Sequence, residues 1–67
     1  MTLKQEQKIY DTVMEVFESN KGECTNCESH FVTDEYNYFL MHNGEKEFKV
    51  SFKISNGKLL KKSITIK

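Results

Sequence analysis

The sequence predicts an α+β domain, in which an N-terminal amphipathic helix packs on a three-stranded antiparallel β-meander. Three observations predict it. Apolar residues recur at helical spacing as far as Asn20, they alternate with polar ones from Tyr36 onward, and two Asn-Gly pairs punctuate the alternating part. The 67 residues make one domain, 1–67. A chain this short buries only about 60% of its unfolded surface, so it needs efficient packing, a staple or a partner.

The helix is expected over residues 3–20. Thr2 followed by Gln5 is a capping-box pattern, and Gly22 stands where a glycine ends a helix. Leu3, Ile9, Tyr10, Val13, Met14, Val16 and Phe17 fall on one arc, with Lys4, Lys8, Asp11, Glu15, Glu18 and Ser19 opposite. Glu6 projects into the apolar arc, either reaching solvent from a fraying first turn or making a polar contact. Residues 21–35 form a polar connection containing both cysteines and His30, in which His30-Phe31-Val32 would supply a fourth, short strand.

The meander occupies residues 36–67. Tyr36, Tyr38 and Leu40 alternate with Asn37, Phe39 and Met41, and Phe48, Val50, Phe52 and Ile54 with Lys49, Ser51 and Lys53. Leu60, Ile64 and Ile66 continue the pattern, interrupted by Lys62. Two-residue loops at the Asn-Gly pairs would join Leu40 to Glu47 and Phe52 to Lys61, mixing faces. Bulged turns instead pair Tyr38 with Phe48 and Phe52 with Leu60. The helix then covers Tyr36, Tyr38, Leu40, Phe48, Val50, Phe52, Ile54, Leu60, Ile64 and Ile66. Lys49, Lys53, Lys61 and Lys67, with Phe39 and Met41 beside them, are left on the open face.

Charge points to the same face. Residues 1–47 hold all ten acids and four lysines, a formal −6, whereas residues 48–67 hold six lysines and no acid, a formal +6. The total of zero conceals this division. A solvated sheet face and a protected edge would use the same lysines, but adjacent exposed apolar residues favour a partner. The expected binding residues are therefore Phe39, Met41, Lys49, Lys53, Lys61 and Lys67, meeting an acidic protein surface. A nucleic acid is the alternative partner, with Phe39 stacking on a base. Self-association, acidic helix against basic sheet, is a further option. All ten basic residues are lysine, so bidentate reading of phosphates and guanine edges is absent.

Cys24-Thr-Asn-Cys27-Glu-Ser-His30 carries a C-x₂-C spacing. Cys24, Cys27 and His30, with His42 as a fourth ligand, would form a structural zinc site. The second C-x₂-C of a zinc ribbon is missing, and two reduced thiols are the simpler reading. Glycine-rich phosphate loop, nucleophile elbow and helical His-Glu-x-x-His are all missing, which argues against an enzyme and for a cofactor-free protein. The lack of a long apolar run or leader pattern argues for a cytoplasmic protein without membrane contact. Lysine-only, asparagine-rich composition suits an AT-rich coding sequence, as in a low-GC bacterium or a phage or other mobile element. The reading that gathers these points is a small non-catalytic regulatory protein that occupies a partner's surface.

Overall fold

The computed structural model describes residues 2–67 and contains one helix and four strands in the order α1 (Leu3–Lys21), β1 (Asn26–Phe31), β2 (Asn37–His42), β3 (Glu47–Ser55) and β4 (Lys58–Ile66). The α+β class and the antiparallel meander stand as expected. The fourth strand is present too, but it runs Asn26–Phe31 and fills much of the segment read as a polar loop. All neighbours pair antiparallel in the order β1-β2-β3-β4.

The helix begins as its sequence dictates. The Thr2 hydroxyl accepts from Gln5 N at 3.2 Å while Gln5 Oε1 accepts from Thr2 N at 2.8 Å, so two end donors are satisfied reciprocally. At the other end Gly22, at φ 89°, donates its N–H to Glu18 O. Ile9, Val13 and Phe17 are buried against the sheet.

Strand β2 faces the opposite way from the sequence reading. Phe39 and Met41 are both 0% exposed and lie in the core, whereas Tyr36 is 50% exposed. Phe39 pairs with Val50 and Met41 with Phe48, which puts Tyr38 beside Ser51 and Leu40 beside Lys49 on the outer face. Phe39 packs edge-on against Phe52 at 5.0 Å and Phe31 at 5.6 Å, and Tyr10 reaches it from the helix at 5.9 Å. Phenyl and thioether side chains bring no hydroxyl that needs a partner, so they gain more from burial than tyrosines do.

Asn37 shares the inner face. It is 2% exposed, yet its carboxamide is satisfied: Oδ1 accepts from Val32 N at 2.9 Å and Nδ2 donates to Thr33 O. Those two backbone groups belong to the β1–β2 connection, where Thr33 Oγ1 also accepts from the amides of Glu35 and Tyr36. A buried amide bonded in this way costs little.

The turns also differ from expectation. His42 pairs with Glu47 across a four-residue loop in which Asn43 Oδ1 accepts from Glu45 N and Lys46 N, while Asn43 Nδ2 donates to Lys21 O and ties the loop to the helix end. The second loop is a two-residue form and not the bulged turn expected from matching apolar faces. Ser55 pairs with Lys58 around Asn56 (φ 53°) and Gly57 (φ 75°), the type I′ signature. Its register is repaired further along: Lys53 pairs with Leu60 and Ser51 with Thr65, so Lys61–Ile64 bulge opposite Phe52 alone. Ser63 Oγ stabilises the bulge by accepting from Lys53 N at 2.8 Å and donating to Leu60 O. Leu60 consequently turns outward, 45% exposed, and Leu59 replaces it against the core.

Truncating Phe39 to alanine should cost about 3–5 kcal/mol, much of the roughly 3–10 kcal/mol available to a domain of this size, whereas Tyr38→Ala should cost about 1 kcal/mol or less. Urea unfolding distinguishes the two orientations of β2, since the reverse ranking belongs to the other parity. Asn37→Ala should lower stability by about 1–3 kcal/mol, because Val32 N–H and Thr33 C=O lose their partner. An unchanged urea midpoint for that variant would remove the carboxamide from the account.

Candidate functional site on the outer sheet face

The helix covers one face of the sheet, and no described element covers the other. Strand pairing arranges that outer face in rows. One row runs His30, Tyr38, Ser51, Thr65, and the next runs Glu28, Leu40, Lys49 and on to Lys67, whose backbone exchanges two hydrogen bonds with Lys49.

An aromatic cluster stands at its centre. The imidazole of His30 stacks on Tyr38 at 4.5 Å and 13° between planes, and Tyr36 lies 5.6 Å from Tyr38. Lys49 Nζ sits 4.6 Å from the Tyr38 ring centre and 5.4 Å from that of Tyr36, and donates to Tyr36 Oη at 3.2 Å. The ammonium is held by two ring faces and one hydroxyl. His30 Nε2 lies 2.9 Å from Glu28 Oε1 on the same strand, but without hydrogen-bond geometry. Four side chains from three strands and one turn thus hold one another in place before any partner arrives.

The expected binding residues divide. Lys49, Lys53, Lys61 and Lys67 are exposed, Lys49 and Lys53 on the outer strand positions and Lys61 in the edge bulge. Phe39 and Met41 are core residues and offer nothing to a partner. Tyr36, Tyr38, Leu40 and His30 occupy the surface instead. The sequence signal that distinguishes them is chemical rather than periodic, because a tyrosine can lie flat on a sheet with its hydroxyl in water and a phenylalanine cannot.

The expected zinc ligands do not fit a metal ion. Cys27 pairs with Met41 on the inner side of β1 while His30 pairs with Tyr38 on the outer side, so strand alternation points them apart. Cys24 donates its thiol to Asn26 O at 3.1 Å, and His42 Nδ1 accepts from Gly44 N at 2.9 Å inside its own turn. Among the described residues no three His, Cys, Asp or Glu side chains converge. Both thiols are free and lean on the core.

Burial pushes the Cys27 thiol up, the neighbouring Cys24 adds to it, and a hydrogen bond with Ser29 opposes both. Burial likewise raises Tyr10, with Cys27, Cys24, Asp11 and Glu18 contributing in that order. A raised thiol is a poor nucleophile near neutrality, which argues against a redox-active pair. No described helix is long and apolar enough to cross a membrane. Set against known protein families, curated proteins and solved structures, the chain matches none.

The raised thiol and phenol give stability a definite pH dependence. In the unfolded chain Cys27 loses its proton around 9.0, its ordinary value, while the folded chain retains it to higher pH. Stability is therefore complete below that value and falls as pH rises through the folded one. Urea midpoints measured under reducing conditions should decline on the alkaline side, and Cys27→Ala should flatten the first part of the decline. Parallel curves for the two proteins would show that this thiol contributes nothing.

Proposed function

We propose that the chain is a small non-catalytic binding protein, acting in the cytoplasm, that occupies an acidic surface of a partner protein through its outer sheet face. The observation that carries this reading is the Tyr36-Tyr38-Lys49-His30 cluster. Tyrosines whose side chains are already fixed lose little conformational entropy on binding, and such residues supply most of the energy in protein interfaces. Leu40 and Leu60 add apolar contact, and Lys53, Lys61 and Lys67 supply the positive surround that steers an acidic partner. Regulation by surface occupancy suits an accessory protein of a low-GC bacterium or of a phage or other mobile element.

Four strands at about 4.8 Å spacing and six residues at about 3.4 Å rise give a flat footprint of about 400 Å². That is half of one side of a standard interface, about 800 Å². Affinity must then rest on a few anchors, and micromolar binding fits better than nanomolar.

Nucleic acid is the second reading, favoured by tyrosines and lysines sharing one open sheet. Stacking counts against it. His30 and Lys49 already lie against the Tyr38 ring, and a base would have to displace one of them.

Capture from host extract with wild-type protein and with Tyr38→Ser as baits, followed by affinity measurement on the protein lost from the variant, tests the proposal. Tyr36→Ala and Tyr38→Ala should each weaken that complex about tenfold or more, with Glu15→Gln on the far side of the helix leaving it unchanged. Retention of every partner by the tyrosine variants would end the reading. Oligonucleotide binding that falls steeply between about 50 and 200 mM salt would replace it with the second.

A further inference from the structure

The two flanks of α1 are unlike. On one side Tyr10 and Met14 close the seam between helix and sheet, Tyr10 reaching Phe39. On the other, the polar residues Gln5, Lys8 and Thr12 overhang the β3–β4 hairpin, and the seam stays open as a cavity of about 310 Å³. Its floor is apolar, made by Ile9 and Leu59, and Lys8 and Lys58 flank it from the helix and the hairpin. Among the described residues no carboxylate lines it.

Gln5 gives the end wall a fixed position. Its Oε1 is engaged by Thr2 N in the capping box, and its Nε2 lies against Gly57, only 2.6 Å from where a β-carbon would stand. The type I′ turn also needs positive φ at Gly57. Glycine thus satisfies the turn and leaves room for the carboxamide. The cavity therefore combines an apolar floor with two ammonium groups and one amide donor, and with no anionic group to balance them.

From this we infer that the seam binds a small amphipathic organic anion, a carboxylate or sulfonate carrying an apolar tail. The head group meets Lys8, Lys58 and Gln5 Nε2 through charge-assisted hydrogen bonds. The tail covers Leu59, which the fold leaves only partly buried, beside the buried Ile9. The volume lies at the lower end of the range of about 300–1,000 Å³ for small-molecule sites, which suits a chain of about eight carbons. The site shares no residue with the outer sheet face, so the two proposals stand or fall separately.

Octanoate, octan-1-ol and acetate titrated into the isotopically labelled full chain, read by amide NMR shifts, provide the test. Octanoate should saturate, with shifts concentrated at Ile9, Thr12, Gly57 and Leu59. Octanol, lacking the charge, and acetate, lacking the tail, should each bind at least about tenfold more weakly. The double variant Lys8→Gln/Lys58→Gln, altered only at exposed positions, should lose about tenfold in octanoate affinity, and Lys49→Gln/Lys53→Gln should lose none. Equal binding of octanol and octanoate, shifts centred on the outer face, or full affinity in the Lys8/Lys58 variant would each overturn the inference.

Discussion

The carboxamide of Asn37 holds β2 in one orientation, and the rest of the molecule depends on it. Its oxygen takes the Val32 amide and its nitrogen serves the Thr33 carbonyl, so the β1–β2 turn and the inner face of β2 are specified together. With Asn37 inside, the pleat sends Phe39 and Met41 inside as well. Tyr36, Tyr38 and Leu40 then have only the outer face. A one-residue slip would exchange these sets and leave the amide buried without partners or exposed without effect. Core, surface and turn are therefore one decision rather than three.

The bulge in β4 has a similar role at the other edge. A type I′ turn fixes Ser55 opposite Lys58, and with it Leu59 inward and Leu60 outward. Ile64 and Ile66 also pack inward, although they differ from Leu59 in parity, so the strand must change phase between them. Lys61–Ile64 make that change opposite Phe52, with the Ser63 hydroxyl taking the Lys53 amide that the ladder loses. The bulge also places Lys61 and Lys62 on a free edge, where charge and irregular backbone both discourage strand addition.

Charge segregation acquires a location through these two features. The lysine-only C-terminal third becomes β3 and β4, one half of an open face whose other half carries His30, Tyr38 and Glu28. Lys49 joins the halves by lying over both tyrosines. The result is an organised aromatic surface with a positive side, while Cys24 and Cys27 pack against the core. The seam beside Gly57 is a second, separate place where apolar surface and ammonium groups meet.

Local chemistry settled much of this structure in advance. The Thr2–Gln5 box and Gly22 set the helix ends because both are made within a few residues of chain, and the alternation of Phe48 to Ile54 left no doubt about the face of β3. Where two alternating sets were both apolar, as in Tyr36-Tyr38-Leu40 against Phe39-Met41, period alone could not choose. The choice came from partners outside the strand: Val32 and Thr33 of the preceding connection for Asn37, and Val50 and Phe48 on the neighbouring strand for Phe39 and Met41. Lys62 marked the irregularity in β4, but its resolution as a bulge required Phe52 and Lys53 on the neighbouring strand. Sequence by itself determined the helix, the three strands of the C-terminal meander and where the positive charge lies, but not the extent of β1. Tertiary structure decided which side chains meet water, because burial is a property of pairing across strands and not of any one strand.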